Sequence, residues 1–240
     1  MSAAGKRDAV LGSIRRSLGR GPLDEVARAA VDERIAKPKP NIVPARTDIP
    51  QDERVALFTS MAEAVFATVD RVAGADAVPG AVADYLAQHN LPPALVMAPD
   101  PTLADYPWGE RPMLAIRRGR AEEADRVGVT SAVMGFAETG TLMMASGPDH
   151  PSTLNFLPET HIVVLPAERI GGAYEEGWAH LRAEGGPDGD GGFMPRTVNL
   201  VTGPSRTADI EQTLTIGVHG PGEVHMIIIG GASRQARAGA

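Results

Sequence analysis

The chain has 240 residues and 43% hydrophobic content, enough for one sizeable core, but only 4% aromatics, so that core must be aliphatic. It contains no Cys, which excludes disulfides and thiolate-held zinc or iron–sulfur clusters within these residues. The formal net charge of −7 is uneven: residues 1–39 carry nine Lys/Arg against five Asp/Glu, and the remainder carries fourteen against twenty-five.

A basic arm on an acidic body suits a protein partner or the chain's own domain. There is no nucleic-acid-binding motif and no interleaving of basic and aromatic residues, so nucleic acid is the weakest of the candidate partners. No apolar run is long enough to span a bilayer. The opening MSAAGKRDAVLGSIRR is charged throughout and lacks the apolar stretch of a secretory signal. A cytoplasmic location is expected.

The first periodic stretch is Lys6–Leu18, where Val10, Leu11, Ile14 and Leu18 recur at helical spacing before Gly19 and Gly21-Pro22. Leu23–Ala36 reads as a second short helix, and Lys37–Pro50 is a Pro-rich linker by composition. Residues 1–50 therefore read as a helical arm packed on the body or on another subunit, or as a disordered tail, and residues 51–240 as the body.

Asp52–Val72 predicts one long helix, with Val55, Leu57, Phe58, Met61, Val65, Phe66 and Val69 as its apolar stripe. Pro79–His89 predicts another helix, with Pro79 in its first turn. Ala94–Ala98 and Met113–Ile116 read as strands, and Asp100–Glu110 between them as a loop carrying Tyr106 and Trp108. Further strands are expected at Val129–Met134, Leu142–Ala145 and His161–Leu165. A turn at Gly147–Ser152 leads into a short helix with Ser152 as a cap, and Ile170–Leu181 is helical by spacing. Glu184–Pro195 (EGGPDGDGGFMP) reads as mobile, with a lid as one use for it. Helices alternating with strands at short intervals give an α/β fold with a mostly parallel sheet and flanking helices.

Two polar turns stand out. One is Glu138-Thr139-Gly140-Thr141, just before a strand. Glu138 offers a base, a nucleophile or an anchor for a substrate hydroxyl, while Thr139, Gly140 and Thr141 offer hydroxyls and close backbone approach. The other lies between the apolar runs Val198–Val201 and Val224–Ile229. There Gly203, Ser205, Arg206 and Thr207 form a turn suited to an anion, because the Arg fork pairs with a carboxylate or phosphate. Asp209 and Glu211 can orient Arg206 or move protons, and His219, followed by Gly220, offers an imidazole for proton transfer. The competing reading is structural: Ser205 and Thr207 as caps or turn formers, and Glu138 bonded to backbone amides. Ligands collect at strand ends in open α/β sheets, so both turns are expected side by side in one anion-accepting pocket. His150, His161 and His225 lack the spacing of a metal site, and no metal is expected.

GPSRTADIE, the following GVHGP and apolar strand, and the earlier AETGTL closely resemble the signature of the LUD domain, the lactate utilization protein C family. The resemblance is strong over about Asp125–Gly230. It implies a fold like that of CoA transferases and ribose-phosphate isomerases, in parts of which a comparable glutamate is catalytic. It also implies a subunit of an L-lactate-oxidising system, with lactate as the small anionic substrate and iron–sulfur oxidoreductase subunits as partners. Related LUD proteins carry a Cys-rich cluster-binding extension that this chain lacks, so no cofactor is expected in the chain itself. Alternatives are a free-standing enzyme on a sugar phosphate, CoA or folate derivative, and a non-catalytic sensor or assembly factor.

Overall fold

The computed structural model describes residues 3–19, 21–39, 42–184, 194–209 and 212–230. The chain divides into two compact units, Met1–Ile42 and Val43–Ala240. The first contains α1 (Ala3–Ser17) and α2 (Glu25–Ala36). Asp24 caps α2 by accepting the Ala27 amide at 2.7 Å, which satisfies one of the free N–H groups of its first turn.

The second unit opens with a short turn, Ala45–Thr47, and α3 (Gln51–Ala64). In order there follow β1 (Thr68–Val72), α4 (Val78–Gln88), β2 (Ala94–Met97), α5 (Pro101–Ala104), β3 (Ala115–Arg118) and β4 (Val127–Ser131). Next come β5 (Met134–Phe136), β6 (Thr141–Ala145), β7 (Thr160–Pro166), β8 (Ile170–Gly171), α6 (Tyr174–Glu184) and β9 (Val198–Val201). The last elements are β10 (Arg206–Thr207), β11 (Thr215–Ile216) and β12 (Glu223–Ile229).

The main sheet has six parallel strands in the order β1-β12-β7-β4-β2-β3. A second sheet, β8-β5-β6-β9, is mixed, and β10 and β11 form an antiparallel ribbon. The mostly parallel α/β fold read from the sequence is the fold observed. Central strands β7 and β12 show why their runs are continuously apolar. Ile162, Val164 and Ile227 pack on one face with α4 residues Val82 and Leu86, and Val163, Leu165, Met226 and Ile228 pack on the other with Phe58 of α3. Side chains alternate across a strand, so burial on both faces makes 162–165 and 226–229 continuously apolar, while the buried polar Thr160, His161 and His225 precede those runs. Each such fully buried aliphatic side chain contributes about 1.5–3 kcal/mol. A third cluster, Met134, Phe136, Met143 and Leu181, lies between the second sheet and α6.

Several local expectations are corrected. The predicted helix over 52–72 is two elements: α3 stops at Ala64, and Thr68–Val72 is the edge strand β1. Phe66 takes a left-handed φ of 70° and the Ala67 amide closes back on the Ala62 carbonyl at 3.0 Å, which reverses the chain. Phe66 is 62% exposed, so its place in the apolar stripe was a coincidence of spacing. Ile170 belongs to β8, and α6 starts only at Tyr174. Ser152 is the first residue of a 3-10 turn with no side-chain cap. The apolar run Val198–Val201 is a strand, but a half-buried one that pairs antiparallel with β6 in the second sheet. The stretch expected to be mobile or a lid falls mostly on 185–193, outside the described residues.

The residues just before α3 pack closely. Thr47 is buried, and Arg54 Nε donates to its carbonyl at 3.1 Å. The compact body thus begins at Val43, before the boundary expected after Pro50.

Candidate functional site

The first polar turn reverses the chain between β5 and β6. The Gly140 amide donates to the Phe136 carbonyl at 2.9 Å with Gly140 at φ 64°. A Cβ at Gly140 would stand 2.3 Å from the backbone nitrogen of Ala62, so the turn sits directly against α3 and only glycine fits. Glu138 accepts from Arg46 Nη2 at 2.8 Å, with its side chain 14% exposed against 62% for Arg46. Its charge is therefore already paired. Thr141 is fully buried, and its hydroxyl lies 2.7 Å from those of both Thr139 and Thr202. Tyr174 completes the network at 3.0 Å from Thr139 and 3.2 Å from Thr141.

The antiparallel register Leu142↔Val201 brings the second turn beside the first, at the carboxyl end of β9. Gly203, φ 69°, closes on the cap residue that follows α3, where an added Cβ would meet the Val65 carbonyl at 2.3 Å. Ser205 ties the turn to the later loop. Its amide donates to the Pro221 carbonyl at 2.9 Å, its carbonyl accepts from Gly217 at 2.9 Å, and its hydroxyl accepts the His219 amide at 3.2 Å. A Cβ added at Gly220 would meet the Ser205 Cβ at 3.4 Å, an ordinary contact. The Thr207 hydroxyl accepts the Asp209 amide at 3.3 Å.

The structure thus joins Thr139 and Thr141 to Thr202, and Ser205 to His219 and Gly220. It does not pair Arg206 with Glu138 or Asp209: among the described residues the exposed guanidinium lies over the Phe66 ring, 5.3 Å from its centroid. Asp209 instead faces His219 at 3.8 Å, both exposed. Glu211 lies outside the described residues. His161 and His225 are buried and neutral. Burial pushes His161 down to about 4, while burial and then His89 push His225 to about 3. Thr130 and Thr68 supply their respective hydrogen-bond partners, each at 2.8 Å. Among the described residues no group of three or more His, Cys, Asp or Glu is placed to hold a metal.

A second feature involves the loop that carries Tyr106, between β2 and β3. Strand β2 connects outward to β3 at the sheet edge, whereas β4 connects the other way, to β7. The carboxyl ends of β2 and β4 flank the point where the winding reverses, the usual ligand crevice of an open parallel sheet. A cavity of about 260 Å³ lies there, lined among others by Asp100, Thr102, Tyr106, Ser131, His150 and Arg169. None of the polar turn residues singled out from the sequence lines it.

Asp100 is 5% exposed. Its Oδ1 accepts from the Thr102 amide at 2.9 Å and the Thr102 hydroxyl at 2.6 Å, and its Oδ2 accepts from the Ser131 hydroxyl. Burial alone would raise its pKa, but the Ser131 and Thr102 hydrogen bonds and the field of His150 outweigh that and hold it below the ordinary value. Tyr106 is shifted up, by burial first and then by Asp100 and Glu168, so it stays a hydroxyl donor. The available signal was the order of residues: Asp100-Pro101 follows the predicted strand at once, as an N-cap followed by Pro does. Ser131 was hidden inside a predicted strand running to Met134, whereas β4 ends at Ser131 itself.

The profile of the LUD domain family matches residues 55–229. The chain is 36% identical over 110 residues to lactate utilization protein C of Bacillus licheniformis, covering 46% of this chain and 44% of that one. It is 32% identical over 130 residues to the protein of that name from Exiguobacterium, covering 54% and 55%. These alignments span about half the length of each relative. In fold it resembles the crystal structure of a DUF162 family protein from Deinococcus radiodurans, with a TM-score of 0.53 at 20% identity over 76% of this chain and 99% of that one. The chain belongs to the LUD domain family.

Proposed function

We propose that this chain is a subunit of a system that oxidises L-lactate to pyruvate together with iron–sulfur partner proteins. The observation that carries the reading is the family match over 55–229, with relatives named for lactate utilization. The donor set agrees with that division of labour. Oxidation of lactate releases two electrons and two protons, and in this reading the electrons go to iron–sulfur subunits, since these residues offer no thiolates for a cluster. A cavity of about 260 Å³ has room for a substrate as small as lactate. The test is growth. A strain lacking this chain should fail on L-lactate as sole carbon source and recover with a plasmid copy. Unchanged growth on lactate refutes the reading.

A further inference from the structure

We propose that the crevice between the carboxyl ends of β2 and β4 is the ligand site of this chain, and that it takes a small carboxylate bearing a hydroxyl group, with Ser131 and Asp100 receiving that hydroxyl. The choice of lactate as probe rests on the lactate-utilization reading; the location and polarity rest on geometry. Polar groups converge here from four separate segments: Asp100, Thr102 and Tyr106 after β2, Ser131 at the end of β4, His150 after β6 and Arg169 after β7.

Capping α5 explains why Asp100 bonds Thr102. It does not explain Oδ2, which takes the Ser131 hydroxyl from a different strand at the wall of the cavity. With its proton committed to Asp100, Ser131 presents only oxygen lone pairs to a ligand, and a lone pair recognises a donor. Asp100 already receives three hydrogen bonds, so this carboxylate needs no cation and tolerates an anionic ligand nearby. Donors for the ligand's carboxylate come from Tyr106, His150 and Arg169; Arg169 Nη1 is engaged by His180 Nε2 and by Glu184 at 3.2 Å, and the guanidinium keeps N–H groups on Nε and Nη2.

The experiment is calorimetric titration of the full chain with L-lactate and with propionate, which has the carboxylate but no hydroxyl. L-lactate should bind saturably, and propionate roughly tenfold or more weakly, the loss expected for one hydrogen bond to a charged acceptor. Ser131→Ala should weaken L-lactate by a similar factor and leave propionate unchanged. Ala132→Leu, which fills the cavity wall, should abolish both, and it keeps the test decisive if Ser131→Ala does not fold. No saturable binding of L-lactate, or binding that survives Ala132→Leu, overturns the site. Lost growth on lactate without hydroxy-acid binding sinks this site and leaves the metabolic reading; normal growth with binding sensitive to Ser131→Ala sinks the metabolic reading and leaves the site.

Discussion

Gly140→Ala separates the two uses a glycine in a polar turn can have. If Gly140 exists to let a ligand approach, alanine spoils binding and leaves stability alone. The structure gives it a different neighbour: the added Cβ would lie 2.3 Å from Ala62 N and 2.6 Å from Met61 C, both backbone atoms of α3. Backbone atoms inside a helix cannot swing aside as a side-chain end can. The left-handed φ of 64° adds about 1–2 kcal/mol for a non-glycine residue. Overpacking against fixed atoms adds about 1–3 kcal/mol. The expected loss is about 2–5 kcal/mol, which for a domain of this size lowers Tm by about 4–20 °C. Thermal unfolding followed by circular dichroism, with urea denaturation alongside, measures it. Gly147→Ala is the control, since nothing lies within 4 Å of a Cβ there, and it should stay within about 0.5 kcal/mol of wild type. A Gly140→Ala protein that melts with wild type refutes the structural assignment.

Thr141→Val should destabilise by about 1–3 kcal/mol in urea titrations, because it leaves the Thr139, Thr202 and Tyr174 hydroxyls without their shared buried partner. His161 has a folded pKa of about 4 against an ordinary 6.5, so the unfolded chain binds the proton first, and stability present above pH 6.5 falls as pH drops toward 4, by roughly 3 kcal/mol. Urea midpoints across that window should slope less in His161→Gln, and parallel slopes would contradict the assignment. Arg206→Ala should cost no more than about 1 kcal/mol in stability, the worth of an exposed cation–π contact. Deleting residues 1–42 should leave cooperative unfolding intact, whereas deleting 1–50 also removes buried Thr47 and the Arg46 partner of Glu138 and should lower the urea midpoint further.

The parts of the fold carried by pattern were readable in the sequence. The apolar runs of β7 and β12 follow from burial on both faces, and Pro and the apolar spacing mark α4. What escaped depends on contacts distant in sequence. The 52–72 stretch kept a helical apolar spacing through Phe66 and Val69, although the chain had turned at Phe66 and Val69 faces the core from a strand. The two polar turns were found because Gly, Thr and Pro announce them, and the Leu142↔Val201 pairing does set them side by side. Their internal bonding was invisible: nothing local says that Arg46, ninety-two residues away, pairs with Glu138, or that Gly140 and Gly203 are spaced by α3 and its cap residue. The Asp100–Ser131 crevice was missed because its polar residues are thinly spread, and only strand order brings them to one place.

The proposed role in lactate oxidation through iron–sulfur partners can be tested on the assembly itself. The most direct measurement is to purify the tagged chain from cells grown on L-lactate and assay the eluate for bound iron and for lactate-dependent dye reduction with pyruvate as product. Iron and lactate-dependent activity are expected in that eluate, and neither in the chain purified alone. Full lactate-oxidising activity in the isolated chain, or an eluate from lactate-grown cells with neither iron nor activity, would contradict the proposed role.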